Sequence, residues 1–334
     1  MGLLNANVAT LADWAKRVDP QGKVPSIIEL LGQTNEVLDD MLFGEGNLPT
    51  GHRTVVRTGL PTVAWRLLNN GVSSSKSTTA QIDEACAMLE AWSEVDKDLA
   101  ELNGNTNDFR MSEATAFIEA MNQEMASTLF YGNSSVSPEE FTGLAIRYSD
   151  PTATNGSHVI DAGGGDVADS SSIYLICWGS QTVQGIFPKG SQAGLVHEDL
   201  GLVTVENTAG IGNARMRAYQ DHWQWKVGIA LKDWRYVVRI GSIDMSALIA
   251  NSGSQANLIT LMVKAIHRIP FLKLGKPVFY MNRTVFEFLD IQRLASVSTG
   301  GGITYDNVDG KIVPSFRGIP IKIVDALLET EALV

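Results

Sequence analysis

Hydrophobic and polar positions divide the chain into stretches of different texture. Residues 1–50 carry short apolar clusters broken by Pro20, Gly22, Pro25, Gly32, Gly44, Gly46 and Pro49, too interrupted for a compact unit. They read as an extended arm with one or two short helices, whose removal should leave a folded body. Within it Ile27, Ile28, Leu31, Val37, Leu38, Met41 and Leu42 form an apolar stripe that needs a covering surface, on this chain or on a neighbour. From Thr54 to Asp83 the texture turns to strand. TVVRT and TVAWRLL lead to Asn69, Asn70 and Gly71, a turn signal because Asn and Gly tolerate positive φ, and the returning limb VSSSKSTTAQID has little to bury. The expectation is a long hairpin that projects as a flap.

Residues 84–102 place Ala85, Met88, Leu89, Trp92, Val95 and Leu99 at helical spacings, which predicts a helix. A second helix is predicted over 109–132, with Ser112 as N-cap, apolar positions at Ala114, Phe117, Ile118, Met121, Met125 and Leu129, and Gly132 as its stop. It would be a rod of roughly 30 Å. Residues 133–171 read as loop. Strands follow in SSIYLICWG, VQGIFP and GLVTVE, then in the run 222–240, where Trp223, Trp225, Val227, Ile229 and Leu231 alternate with polar or small residues until the phase shifts near Lys232 and Asp233. After Met245 a helix near 255–267, a strand at PVFYM, a helix capped by Asn282 and a final pair of strands suggest an α/β lobe.

Composition narrows the function classes. The 334 residues are 44% hydrophobic and 19% charged, which predicts a stable globular fold rather than a disordered chain. The net charge of −11 opposes a protein that grips nucleic acid by broad phosphate neutralisation. Two cysteines, Cys86 and Cys177, are too few for a disulfide framework. No stretch approaches the length of a membrane span and no basic leader is visible, so the chain is expected to be soluble and untargeted.

Chemical motifs are weak. GIGNAR has Arg215 where a dinucleotide loop needs its third Gly, and GIFPKGS has the P-loop letters in the wrong order. HEDLG at His197 lacks a second His, and the histidines at 52, 158, 197, 222 and 267 are scattered. Asp161, Asp166 and Asp169 lack EF-hand spacing. No catalytic, cofactor or metal residue is nominated. The rival reading from the residues alone is a single-stranded nucleic-acid binder that stacks bases on Trp223, Trp225 and Trp234. A hydrolase or transferase assembled only by the fold is a third.

The order of arm, polar flap, rod helix, sheet and α/β lobe resembles the major capsid proteins of tailed bacteriophages with the HK97-type fold. LPTVAWRLLNNGVSSSKSTT resembles the E-loop of the short-tailed phage group, and EAMNQEMASTLFYGN followed by FTGLAIRYSD resembles their spine helix and its exit. WGSQTVQGIFPKGSQAGLVHEDLG and YVVRIGSIDMSAL are similar to the same group, so the resemblance spans nearly the whole chain.

It implies an α+β fold: an N-terminal arm over 1–52, an E-loop hairpin over 53–83, a P-domain over 84–245 with spine helix 109–132, and an A-domain over 246–334. The strand-rich part precedes the lobe, a permuted order. It further implies a shell subunit that forms hexamers and pentamers in an icosahedral virion assembled in the host bacterial cytoplasm. The implied partners are a separate scaffolding protein, a portal protein, a decoration or cement protein and weakly contacted double-stranded DNA, with no membrane and no cofactor. The residues expected at assembly contacts are Ile27, Ile28, Leu31, Leu38, Met41, Leu42, Asn70, Gly71 and Lys76. Lys76 lies where an isopeptide cross-link would need it, but neither its Asn partner nor the helper Glu can be matched, so that bond is not carried over.

Overall fold

The computed structural model describes residues 32–104, 106–165, 169–207, 214–250, 257–295, 303–308 and 311–334, together with residues 9 and 13. In chain order the strands and longer helices are β1 (Phe43–Glu45), β2 (Gly51–Gly59), β3 (Thr78–Ala85), β4 (Ala87–Asp96), α1 (Thr106–Tyr131), β5 (Val159–Asp161), β6 (Ser170–Trp178) and β7 (Val183–Phe187). Then come β8 (Leu195–Asn207), β9 (Ala214–Leu231), β10 (Val237–Asp244), α2 (Leu258–Arg268), β11 (Lys276–Met281), α3 (Arg283–Ala295), β12 (Ile303–Val308), β13 (Lys311–Phe316) and β14 (Ile319–Ile323). The chain divides into two compact units, one of residues 1–34, 88–126 and 194–226, the other of 35–87, 127–193 and 227–334.

The larger unit is organised by β6, which is buried at all nine positions. A strand covered on both faces can be apolar on both, which is why Ile173–Trp178 shows no alternation, whereas the buried Ser170, Ser171 and Ser172 open the strand. β10 and β11 flank it, both antiparallel, and β11 continues into β14, β13 and β12. On one face Ile173, Leu175, Val238, Ile240, Phe279 and Met281 pack with Leu258, Leu261, Met262 and Ala265 of α2 and Val285 and Leu289 of α3. The α2 positions recur at i, i+3, i+4 and i+7, one helical face. Asn257 Oδ1 accepts the Thr260 N–H at 2.9 Å to cap α2, and Asn282 Oδ1 accepts the Thr284 N–H at 2.9 Å at the start of α3, as its sequence suggests. The phase shift expected near Lys232 is a break: β9 ends at Leu231, Trp234–Tyr236 forms a 3-10 turn, and β10 begins at Val237.

The second half of the expected arm is built into this unit. Val37 and Met41 are buried, Asn35 bridges to Val324, and β1 pairs with β7 in parallel. Asp40 accepts hydrogen bonds from Lys276 Nζ at 2.5 Å, Lys322 Nζ at 2.8 Å and Tyr280 OH at 2.9 Å, and Trp178 Nε1 donates to Tyr280 OH at 2.7 Å. Deleting residues 1–50 would therefore strip packing and ion pairs from the body, correcting the expectation that it would not.

Burial alone would raise the Asp40 pKa, but hydrogen bonds from Lys276, Lys322 and Tyr280 outweigh it and hold the carboxyl below its ordinary value. A depressed folded value contributes stability that is complete above the unfolded value and lost as pH falls through the folded one. Asp40→Asn should thus cost about 2 kcal/mol at neutral pH, and its deficit against wild type should shrink below about pH 4 in urea titrations. A pH-independent deficit would show that charge is not the cause.

In the smaller unit β8 and β9 form a long antiparallel ladder from Leu195↔Trp225 to Asn207↔Ala214, with β4 beside β9. Residues 88–96 are thus strand, not the predicted helix. Their alternation puts Leu89, Ala91, Ser93 and Val95 inward and leaves Met88 and Trp92 exposed. The helical spacing mixed the two faces, and pairing with β9 decided between periods that the residues satisfy about equally. Glu94 accepts from Gln220 Nε2 at 3.0 Å and Trp92 stacks on His222 at 4.1 Å. α1 begins at Thr106, three residues earlier than expected, and Ser112 lies inside it. The Ser112 hydroxyl donates to Phe109 O at 2.8 Å instead of capping.

Candidate assembly surface

The flap belongs to the larger unit. β2 and β3 pair antiparallel from Gly51↔Ala85 to Gly59↔Thr78, with a register shift between Arg57 and Gly59. Beyond that rung residues 60–77 form no ladder, so TVAWRLL is not the strand its composition suggests. Pro61 has no N–H to donate, and the polar returning limb offers nothing to pack against. The tip is ordered by few bonds: Ser75 Oγ donates to Thr62 O at 2.7 Å and Asn70 N–H to Leu67 O at 3.1 Å, with Asn69 at φ +68°.

At the root Arg147 forks onto Glu84 with both contacts at 2.6 Å, and Arg147 Nε donates to Thr142 O at 3.1 Å. Asp83 and Arg53 pair across the ladder at 2.6 Å.

The tip is apolar and wet. Trp65 is fully exposed, and Leu60, Val63, Leu67 and Leu68 are 75–88% exposed. From Arg57 to Ile82 the flap carries Arg57, Arg66 and Lys76 and no acid, whereas the whole chain is at −11. Asn70, Gly71 and Lys76 are exposed in it, as the sequence places them. Of the expected arm contacts, Met41 is already covered within its own protomer, Leu38 is half-buried and Leu42 is 49% exposed. Ile27, Ile28 and Leu31 lie outside the described residues.

The Trp-stacking reading fails on geometry. Trp223 is buried between Phe117, stacked at 5.3 Å, and His197, stacked at 5.1 Å, so neither ring face is open to a base. Trp234, in the other unit, meets His158 edge-on at 5.0 Å, and Trp225 is half-buried. Beside Trp223, Arg110 bridges Asp199 at 2.6 Å and Asp221 at 2.8 Å, and His197 Nε2 lies 3.0 Å from Asp221. This cluster pairs its groups with one another and fastens α1 to the β8–β9 hairpin.

His197 sits on a strand rather than a metalloprotease helix, and residues 185–191 lead from β7 into a turn, not a phosphate-binding helix. Most of GIGNAR, and Asp166, lie outside the described residues. Burial pushes the Cys86 and Cys177 thiols up to about 11, so neither is a nucleophile at neutral pH. Among the described residues no group of three His, Cys, Asp or Glu side chains could hold a metal ion, and no helix is long and apolar enough to cross a membrane.

No curated protein matches the sequence. A chain in the near-atomic structure of bacteriophage epsilon15 is similar over 100% of this chain and 99% of its own length, at 29% identity and TM-score 0.75. More distant likenesses include a chain from Mycobacterium phage Adephagia, 11% identical with TM-score 0.46 over 70% of this chain and 97% of its own. Another is the capsid of an empty GTA particle, 12% identical with TM-score 0.41 over 72% and 99%.

The family described as major capsid protein GP7 matches residues 19–334. With that match over nearly the whole sequence and the epsilon15 likeness over all of it, the chain belongs to the major capsid protein GP7 family and is a shell-forming structural subunit with the α+β HK97-like fold of tailed-phage capsids.

Proposed function

We propose that this subunit builds an icosahedral shell of hexamers and pentamers around double-stranded DNA, and that the flap is its principal inter-subunit contact. The observation that carries the reading is the wet apolar tip. Five large side chains project from a hairpin too thin to cover them, and burying them against a sister subunit is worth on the order of 10 kcal/mol before the costs of association. The three cations of the flap, on a chain of net charge −11, are complementary to the acidic remainder of another copy. The division into arm 1–52, E-loop 53–83, P-domain 84–245 and A-domain 246–334 is part of this proposal.

The acidic balance fits a lumenal face along which packaged DNA slides without sticking. A separate scaffolding protein, a portal, a decoration or cement protein and assembly in the host bacterial cytoplasm complete the picture, with no catalytic role for the subunit.

The test is the triple variant Trp65→Ser, Leu67→Ser, Leu68→Ser. These side chains are exposed, so thermal unfolding of the subunit should stay within about 1 kcal/mol of wild type. The concentration needed for shells or capsomer rings, read by sedimentation and negative-stain microscopy, should rise at least about 100-fold. Normal shells from the folded variant would remove the flap from the contact.

A further inference from the structure

We propose that Asn70–Gly71 at the flap tip is a site of spontaneous deamidation, chemically distinguished from the other two Asn–Gly pairs of the chain by its hydrogen bonding. The sequence contains Asn70–Gly71, Asn103–Gly104 and Asn155–Gly156. The reaction requires the backbone nitrogen of the glycine to reach the side-chain carbonyl of the preceding Asn, so a free glycine N–H and a mobile Asn amide are the preconditions.

The three pairs differ on those terms. Gly156 N–H is committed to Ala153 O at 2.8 Å, and Asn155 Nδ2 donates to Arg147 O at 2.7 Å, so nucleophile and leaving group are both tied. The site is closed as well: a Cβ at Gly156 would stand 2.0 Å from Pro151 O. Gly104 N–H donates to Glu101 O at 3.1 Å. At the flap tip both Asn70 and Gly71 are exposed, Gly71 N–H makes no bond among the described residues, and nothing lies within 4 Å of where its Cβ would be.

In the step itself the Gly71 nitrogen, giving its proton to hydroxide or a buffer base, bonds to Asn70 Cγ. The Cγ–Nδ2 bond breaks, and ammonia leaves with a proton from water. Water then opens the cyclic imide at either carbonyl. One opening leaves Asp at position 70, and the other leaves isoaspartate, whose main chain runs through Cβ and Cγ. The net change is gain of water and loss of ammonia, about one mass unit. Either product puts a carboxylate beside Leu67 and Leu68 in a loop that otherwise carries only positive charge. The consequence for assembly rests on the flap reading above, whereas the chemistry does not.

The purified subunit is incubated in mildly alkaline buffer, digested with trypsin, and the peptide from Leu67 to Lys76 is followed by fragment-resolved mass spectrometry with chromatographic separation of the isoaspartyl form. Asn70 should convert at least about tenfold faster than Asn155 and faster than Asn103, because each competing pair must first break its hydrogen bonds. Gly71→Ala meets open space and should slow conversion about tenfold without altering the melt, by crowding the attacking nitrogen. Conversion at Asn103 or Asn155 as fast as at Asn70, or an unchanged Leu67–Lys76 peptide, would overturn the assignment. Asn70→Asp, compared with Asn70→Gln, then reads the consequence: slower assembly by the Asp variant alone supports it, and equal rates refute it while leaving the chemistry standing.

Discussion

Replacing Glu331 by Ala is expected to lower the stability of the larger unit by about 3–5 kcal/mol, because it abandons a buried guanidinium. Arg239 and Glu331 are both about 3% exposed and meet at 2.7 Å. Arg239 also donates to Ser172 Oγ at 3.1 Å and to the carbonyls of Ala145 and Tyr148 at 3.2 and 3.1 Å. Glu331 takes Tyr131 OH at 2.5 Å and the Ser172 hydroxyl, while its own N–H donates to Ser170 O at 2.8 Å. The side-chain polar atoms of the pair are all engaged, so removing Glu331 leaves a buried guanidinium that keeps its neutral acceptors but has no counter-ion. Glu331→Gln should cost less, keeping the shape and one acceptor oxygen but neither the charge nor the second acceptor. The double variant Arg239→Met, Glu331→Leu should recover part of the loss, since it removes both charges together while the Ser172 and Tyr131 hydroxyls lose their acceptor. Urea unfolding of the single and double variants decides, and a double variant as unstable as Glu331→Ala would show that packing rather than charge is at stake.

Arg147→Ala should produce a loss of similar size, about 3–4 kcal/mol, felt at the root of the flap. The carboxylate of Glu84 is 8% exposed and has both oxygens on the Arg147 fork. Without that fork Glu84 must find water, which it can do only by lifting β3 away from residues 142–147. Hydrogen exchange should therefore accelerate across residues 51–85 while β6, β10 and β11 keep their protection. Arg147→Lys, which retains charge but loses the two-pronged geometry, should lie between. Unchanged exchange in the flap would mean that its root is held by the ladder alone.

The fold was legible where one physical signal acted without competition. The apolar stretch Ile173–Trp178 of β6, the long helix apart from its first turn, and the cap Asn282 each follow from local chemistry. β4 departs from its predicted helix because Met88, Leu89, Trp92 and Val95 fit helix and strand periods alike, and only the partner strand, more than a hundred residues later, resolves it. The flap was legible as a turn at Asn69–Gly71, but its apolar limb was assigned to a strand that lacks a partner. Asp40 and Glu331 carried no signal at all. An isolated acid reads as surface, and their cationic partners lie 236 and 92 residues away. The exposure of Asn70, Gly71 and Lys76 needed only the turn chemistry and the polarity of the loop.

The central position of β6 has a consequence for how the polypeptide is made. Its two flanking strands are synthesised some sixty to a hundred residues after it, and the carboxylate that neutralises Arg239 comes later still. The nascent chain therefore carries Ile173–Trp178 without its sheet neighbours until about a hundred further residues have followed, and in that interval the apolar side chains of β6 are open to the wrong partner, a sister chain included.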